Sequence, residues 1–227
     1  HKRLLDNPNF LPKRASLLLS VSGGQDSMAL LKLILDLQRL HHWDLHVWHG
    51  DHGWHEESAT IANQLKDWCQ KLEINFYSNK STKIESKGEA QAREWRYKML
   101  FQRSQILSSN PTQFPCEHVL TGHTSSDKTE TLLMNLARGT DLAGLSSLRE
   151  QRILEANVKL LRPILLFTRA DTWQICKEMN LPLWLDPSNN NTRFRRNRIR
   201  NDVMPILEEL HPGCSLRIAA LSERISH

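Results

Sequence analysis

The chain has 227 residues, 39% of them hydrophobic and 24% charged, with a formal net charge of +5. That length suits one large α/β domain with a small appendage, and the composition excludes collagenous, low-complexity and membrane-spanning classes. The basic balance suits a polyanionic partner such as nucleic acid, or simply a basic enzyme.

Residues 1–15 read as an N-terminal extension, and the opening on His1 rather than Met suggests a processed terminus that leaves an upstream targeting segment open. Leu17–Val21 is an apolar run of strand length, and Ser27–Leu40 repeats apolar residues at helical spacing. Asp44–His49 reads as a second strand. Glu56–Leu72 reads as a helix, with Ala59, Ala62, Leu65, Trp68 and Leu72 three or four apart. Strands over Ile74–Ser78 and His118–Gly122 alternate with helices over Glu89–Leu107 and Ser126–Arg138. This order predicts a parallel twisted sheet with helices on both faces. Ligands of such sheets bind beyond the carboxyl ends of the strands, where the loops Ser22–Ser27, His49–His55 and Gly122–Asp127 fall.

After Gly139 the pattern changes. Lys159–Leu166 is expected as a strand, and Thr168 as the cap of a helix running to about Asn180. A polar loop over Leu181–Thr192 precedes a helix over Arg196–Leu210, in which Pro205 is a kink or break. His211-Pro212-Gly213 is a turn, and a short last helix packs on the main domain or begins a second. The expected division is a nucleotide-binding domain over 16–145, the remainder of the catalytic domain over 146–210, and a small helical C-terminal appendage from 211. Cys69, Cys116, Cys176 and Cys214 form no CxxC pair and read as reduced, mostly buried thiols.

Several stretches carry chemistry. In Ser22-Gly23-Gly24-Gln25-Asp26-Ser27 the glycines allow a tight turn and close ligand approach, and the helix N-terminus that follows favours a phosphate. The loop lacks the Gly-Lys-Ser/Thr ending of a Walker A loop. Asp26 suits either a Mg²⁺ ligand beside phosphates or a helix N-cap. Asp127 and Glu130 share one helical face, as substrate-binding acids or as complements to the helix dipole. His46, His49, His52 and His55 present no common ligand face, and His52 stands either near a nucleotide or in solvent. Arg93 and Arg96 either contact phosphate or pair with Glu89, Glu94 or Asp67. Arg193–Arg200 holds five arginines in eight residues with Phe194 among them, which suits RNA phosphates and base stacking, or a solvated face.

The hexapeptide SGGQDS resembles the SGGxDS signature of the PP-loop ATP pyrophosphatases, which cleave ATP between its α- and β-phosphates. With DHGW (Asp51–Trp54), EAQAREWRY (Glu89–Tyr97), the run Thr121–Leu145 and the run Leu161–Leu207, the stretch from Ser16 to Leu210 resembles the tRNA(Ile)-lysidine synthetase family within that superfamily. The resemblance implies a Rossmann-like, adenine nucleotide alpha hydrolase-like PP-loop fold, with ATP and Mg²⁺ as cofactors. It implies a ligase that adenylates O2 of the wobble cytidine in tRNA(Ile) with a CAU anticodon. The ε-amine of free L-lysine then attacks C2 and displaces AMP, forming lysidine. Carried over position by position, Ser22, Gly23, Gly24, Gln25, Asp26, Ser27, His52, Arg93 and His123 bind ATP, and Asp26 also binds the metal. Asp26, Asp127, Glu130 and Arg196 are catalytic. Asp127, Glu130, Arg196, Asn197 and Arg200 bind lysine, with one acid accepting a proton from its ammonium. Arg193, Arg195 and Arg198 bind tRNA, and Asp186, Pro187, Ser188 and Asn189 match a family loop.

The segment GHTSSDKTET departs from the commoner AHHxxDQxET pattern, with Thr124 and Ser126 replacing a histidine and an acid. The implied location is bacterial cytoplasm or plastid stroma, without a membrane; the oligomeric state stays open, a homodimer included. A base-thiolating relative needs paired cysteines, an amidating relative needs a glutaminase, and a non-catalytic module would bind ATP or RNA without releasing pyrophosphate.

Overall fold

Apolar side chains point alternately to the two faces of each central strand, and this alternation builds a sheet with a core on either side. The structure, a computed structural model, describes residues 1–53, 58–82, 88–110, 114–145, 148–184 and 195–225. Strands β1 (Ser16–Ser20), β2 (Asp44–Asp51), β3 (Asn75–Lys80), β4 (His118–Thr121), β5 (Gln151–Glu155) and β6 (Val158–Leu161) form one sheet in the order β3-β2-β1-β4-β6-β5. All neighbouring pairs are parallel except β5 with β6.

Leu17, Leu19, Val47, Leu120 and Leu161 face a core completed by α2 (Gln25–His41), α3 (Ser58–Lys71) and α7 (Arg169–Glu178). Leu18, Trp48, Val119 and Leu160 face the opposite core, against α4 (Glu89–Ser108) through Trp95, Leu100 and Leu107. Each fully buried leucine contributes roughly 1.5–3 kcal/mol relative to exposure.

The expected strand over Lys159–Leu166 stops at Leu161. Pro163 has no N–H for the ladder, and the chain turns there with Leu165 N–H donating to the Arg162 carbonyl at 3.2 Å. Ile164 and Leu165 are buried in that turn, so their apolar character marks core and not strand. The sheet is also not wholly parallel, because β5 pairs antiparallel at its edge. Ile153 and Leu154 are its only apolar residues, too short a run by which to find it. A short helix α1 (Lys2–Asp6) lies within the N-terminal stretch read as an extension.

Thr168 caps α7 as expected, in a reciprocal box with Asp171. Helices α5 (Ser125–Ala137) and α6 (Leu142–Leu145) follow β4. The Pro205 break is resolved into α8 (Arg195–Arg198), a π-helical turn over Ile199–Val203, and α9 (Met204–Leu210), with Met204 N–H reaching back to the Ile199 carbonyl. The last helix, α10 (Cys214–Ile225), packs on α5. Thr129 Oγ1 donates to the Ser215 carbonyl at 2.7 Å, and Lys128 pairs with Glu223. All four cysteines are free and buried.

Candidate functional site

A cavity of about 520 Å³ opens where the carboxyl ends of β1, β2 and β4 meet α4 and α5. Ser22 and Gly24, His49 to His52, Arg93, Arg96, His123, Arg138 and Arg196 line it. Three loops far apart in sequence converge here because parallel strands all end at the same edge.

Local geometry shapes the first loop. Gly23 has φ +90, a conformation that costs a side-chain-bearing residue about 1–2 kcal/mol, and its carbonyl accepts from Trp184 N–H at 3.0 Å. Ser22 N–H donates to Ser27 Oγ at 3.2 Å, and Ser27 Oγ donates to the Gly24 carbonyl at 2.8 Å. Gly24 is the N-cap of α2, with no side chain capping it. Asp26 lies in the first turn and is not the cap.

The Asp26 carboxylate turns toward α7, where Thr172 Oγ1 donates to Oδ1 and Arg169 Nη1 donates to Oδ2 at 3.4 Å. Burial raises its pKa, against the pull of Arg169 and Thr172. Gln25 also points to α7, donating to the Arg169 carbonyl at 2.8 Å and to Thr172 Oγ1 at 3.0 Å. The structure thus brings Ser22, Gly24, His52, Arg93 and His123 to the cavity wall, while the Gln25 and Asp26 side chains bind α2 to α7.

His52 sits edge-on to Trp95, with ring centroids 5.1 Å apart. His123 Nδ1 lies 2.9 Å from Thr121 Oγ1, and burial, reinforced by Arg162, Arg96 and Arg196, holds its pKa well below the ordinary value, so the ring is neutral. Among the described residues no group of three or more His, Cys, Asp or Glu could hold a metal ion.

Asp127, Glu130, Arg196 and Arg200 form a closed quartet. Arg196 Nη2 donates to Asp127 Oδ1 at 2.9 Å and Arg196 Nε to Glu130 Oε2 at 2.8 Å. Arg200 Nε donates to Glu130 Oε1 at 2.6 Å and Arg200 Nη2 to Oε2 at 2.8 Å. Asp127 Oδ2 accepts from the Thr124 N–H at 2.8 Å and the Thr124 hydroxyl at 3.0 Å, capping α5. Asp127 is thus a helix-start acid, as one of its two readings expected, and it is also ion-paired to Arg196.

Burial alone would raise the Asp127 carboxyl. Arg196, the Thr124 N–H and Arg200 outweigh burial and hold it to about 2. These partners favour the ionised form of the Asp127 carboxyl. A second cavity of about 270 Å³ is lined by Glu130, Arg169, Arg200, Met204 and Pro205. Arg196 lines the large cavity and Glu130 with Arg200 the small one, so the quartet stands between them.

Asn197 is buried, whereas Arg195 and Arg198 are exposed, and Arg198 Nε reaches Asp202 at 3.3 Å. Arg193, Phe194, His55 and Asp186 to Asn189 lie outside the described residues. Sequence reasoning missed Arg169, Thr172, Trp184 and Arg138. The Thr168–Asp171 capping pattern announces a helix but carries no sign that it docks on the first loop.

A family model described as a PP-loop domain matches residues 2–207. A tRNA(Ile)-lysidine synthase of Prochlorococcus marinus is 56% identical over 226 residues, covering 100% of this chain and 67% of that protein. The tRNA(Ile)-lysidine synthase of Parasynechococcus marenigrum is 52% identical over 230 residues, covering 100% of this chain and 66% of that protein. The chain thus spans about two thirds of the length of these curated relatives.

Among solved structures, the U34-tRNA thiolase NcsA of Methanococcus maripaludis with its 4Fe-4S cluster superposes with a TM-score of 0.76 at 18% identity, covering 96% of this chain and 74% of that one. The Candida glabrata FMN adenylyltransferase in complex with FMN and an ATP analogue gives a TM-score of 0.50 at 18% identity, covering 79% of this chain and 55% of that one. Both likenesses are of fold alone. With the Ser-Gly-Gly loop at the mouth of α2 and relatives more than half identical over its whole length, the chain belongs to the tRNA(Ile)-lysidine synthase family of ATP-using PP-loop proteins.

Proposed function

We propose that this chain activates the wobble cytidine of tRNA(Ile) with a CAU anticodon and joins free L-lysine to it. A base oxygen, O2, attacks the α-phosphorus of ATP and pyrophosphate leaves. The ε-amine of lysine then attacks C2, and the C2–O2 bond breaks with AMP as the leaving group. The observation that carries this reading is the quartet of Asp127, Glu130, Arg196 and Arg200 between two cavities, one of them opening on the Ser22–Ser27 loop.

The Ser22 hydroxyl, the Gly24 cap and the α2 N-terminus supply hydrogen-bond donors and positive potential for the phosphates. His52 and His123 complete that end. Asp26 would hold Mg²⁺ through Oδ2, whose partner Arg169 stands at 3.4 Å, with its carboxylate turned from α7 toward the cavity. The ion, when bound, would supply charge neutralisation on the phosphates. The small cavity beside Glu130 and Arg200 is the place proposed for the amino acid, whose cationic amine faces the acids and whose carboxylate faces the arginines. Asp127 stays ionised and holds Arg196 in the quartet, and the proton that the ammonium loses before attack passes to solvent water. Arg195 and Arg198 face outward for tRNA phosphates, with Arg193 in the same basic run.

The bacterial sources of the relatives support the cytoplasm over a plastid, and among the described residues no helix is long and apolar enough to cross a membrane. The four cysteines sit on separate elements, so nothing in their placement supports base thiolation.

The test is pyrophosphate release from ATP with labelled lysine and tRNA(Ile), omitting each component in turn. Release that requires this tRNA, with label entering the RNA, is expected. Release without lysine incorporation would change the acceptor, and no release would leave a binding module. Glu130→Gln is expected to raise the lysine KM by about tenfold or more and let adenylated tRNA accumulate. An unaltered lysine KM would remove the amino acid from this cavity.

A further inference from the structure

Four arginines converge on one phenol beside the large cavity. The guanidinium carbons of Arg152, Arg93 and Arg96 lie 4.7, 5.4 and 5.5 Å from the centroid of the Tyr97 ring, and Arg162 adds its charge to the same group. They come from three places: Arg93 and Arg96 from α4, Arg152 from β5, and Arg162 from the turn after β6. Among the described residues none of the four is ion-paired to a carboxylate. Arg162 is only 1% exposed, and Nε of Arg162 and of Arg96 finds no acceptor among the described residues. Arg162 is a buried cation without an acid, which is costly, and Arg93, Arg96 and Arg152 are half-buried beside it, so an anion entering from the cavity would complete the cluster. Stacking on Tyr97 offsets part of that cost. Arg93 and Arg96 line the same cavity as the Ser-Gly-Gly loop.

We propose that Arg96, with Arg93 beside it and Tyr97 and Arg162 backing it, forms a second phosphate-binding subsite of this cavity, separate from the Ser22–Ser27 loop. The ligand class is a phosphate group, from the backbone of the RNA next to the reacting nucleotide or from ATP. The proposal rests on reading this cavity as the reaction chamber. Tyr97 gives the subsite a signature. Burial would raise its phenol, but Arg96, Arg93, Arg162 and Arg152 outweigh burial and lower it to about 8, while Tyr77, the other tyrosine, is raised. Ionised Tyr97 would neutralise one of the cations and compete with the phosphate.

The experiment measures the affinity of a non-hydrolysable ATP analogue by calorimetry, and of tRNA(Ile) across a salt series, for the wild type, Arg96→Gln and Tyr97→Phe. An RNA phosphate predicts about tenfold weaker tRNA binding by Arg96→Gln, a salt slope lower by about one, and an unchanged analogue affinity. An ATP phosphate predicts about tenfold weaker analogue binding and an unchanged salt slope. Normal binding of both ligands by Arg96→Gln overturns the subsite. Should Arg96→Gln fail to fold, Tyr97→Phe decides. The wild type is expected to lose affinity for one ligand several-fold between about pH 7 and pH 9, in step with a phenolate absorbance near pH 8 that the variant lacks. Superimposable pH curves for the two proteins overturn the proposal. Lysine incorporation by the wild type is scored separately, so incorporation alongside normal variant binding sinks the subsite alone.

Discussion

Asp127 caps a helix and joins an ion-pair network with a single carboxylate. Its Oδ2 caps α5 through Thr124 and its Oδ1 receives Arg196. Both interactions favour the ionised form, which is why its pKa falls to about 2 from an ordinary value of 3.8 despite burial. A depressed carboxyl contributes stability that is fully present above the unfolded value and disappears as the pH falls through the folded one. Asp127→Asn is therefore expected to unfold more easily than the wild type at pH 7, by on the order of 2 kcal/mol. The difference should shrink as the pH falls from about 4 toward 2. Urea denaturation of both proteins across that range checks it, and a gap independent of pH would mean that the carboxylate charge is not what the quartet uses.

At the scale of elements, helix α5, which carries Asp127 and Glu130, is held from outside by α10. Lys128 is nearly buried in that contact and pairs with Glu223, which is half exposed. Removing Glu223 strands the lysine charge, whereas replacing both groups leaves none behind. Glu223→Ala should cost about 1–2 kcal/mol, and adding Lys128→Met should recover most of it. Additive losses in this double-mutant cycle would show that the pair contributes nothing.

The same scale explains what was legible beforehand. Strands β1, β2 and β4 and helices α2 and α5 could be read because apolar alternation and helical spacing are local signals, and the capping box at Thr168 is local too. The edge strand β5 buries almost nothing and so left too short an apolar run, and the strand expected to reach Leu166 confused burial with extension. The site was legible as residues and not as contacts. Arg196 and Glu130 could each be picked out, but their pairing spans 66 positions, and no spacing rule joins them. For the same reason the sequence did not reveal that Gln25 and Asp26 turn to α7.

Across the whole molecule, the net charge of +5 acquires a direction from the basic segment after residue 194. Helical geometry sorts its arginines onto two faces. Arg196 and Arg200, four apart, reach inward to Asp127 and Glu130, and Arg195 and Arg198 remain in solvent. An inward arginine holds the acids of the quartet, and an outward one adds to a long-range positive field that attracts polyanions and is screened by salt. The two faces should therefore separate in one experiment. Arg195→Gln with Arg198→Gln is expected to weaken tRNA binding and to lower the slope of log affinity against log salt by about one per arginine. Its turnover at saturating tRNA should stay near that of the wild type. Arg196→Gln should show the reverse, a wild-type salt slope with turnover lost, because it breaks the quartet and leaves the outer face intact. A full salt slope in the Arg195, Arg198 double variant would place the RNA surface elsewhere on the molecule. A lowered slope in Arg196→Gln would mean that the inward face also meets the RNA backbone.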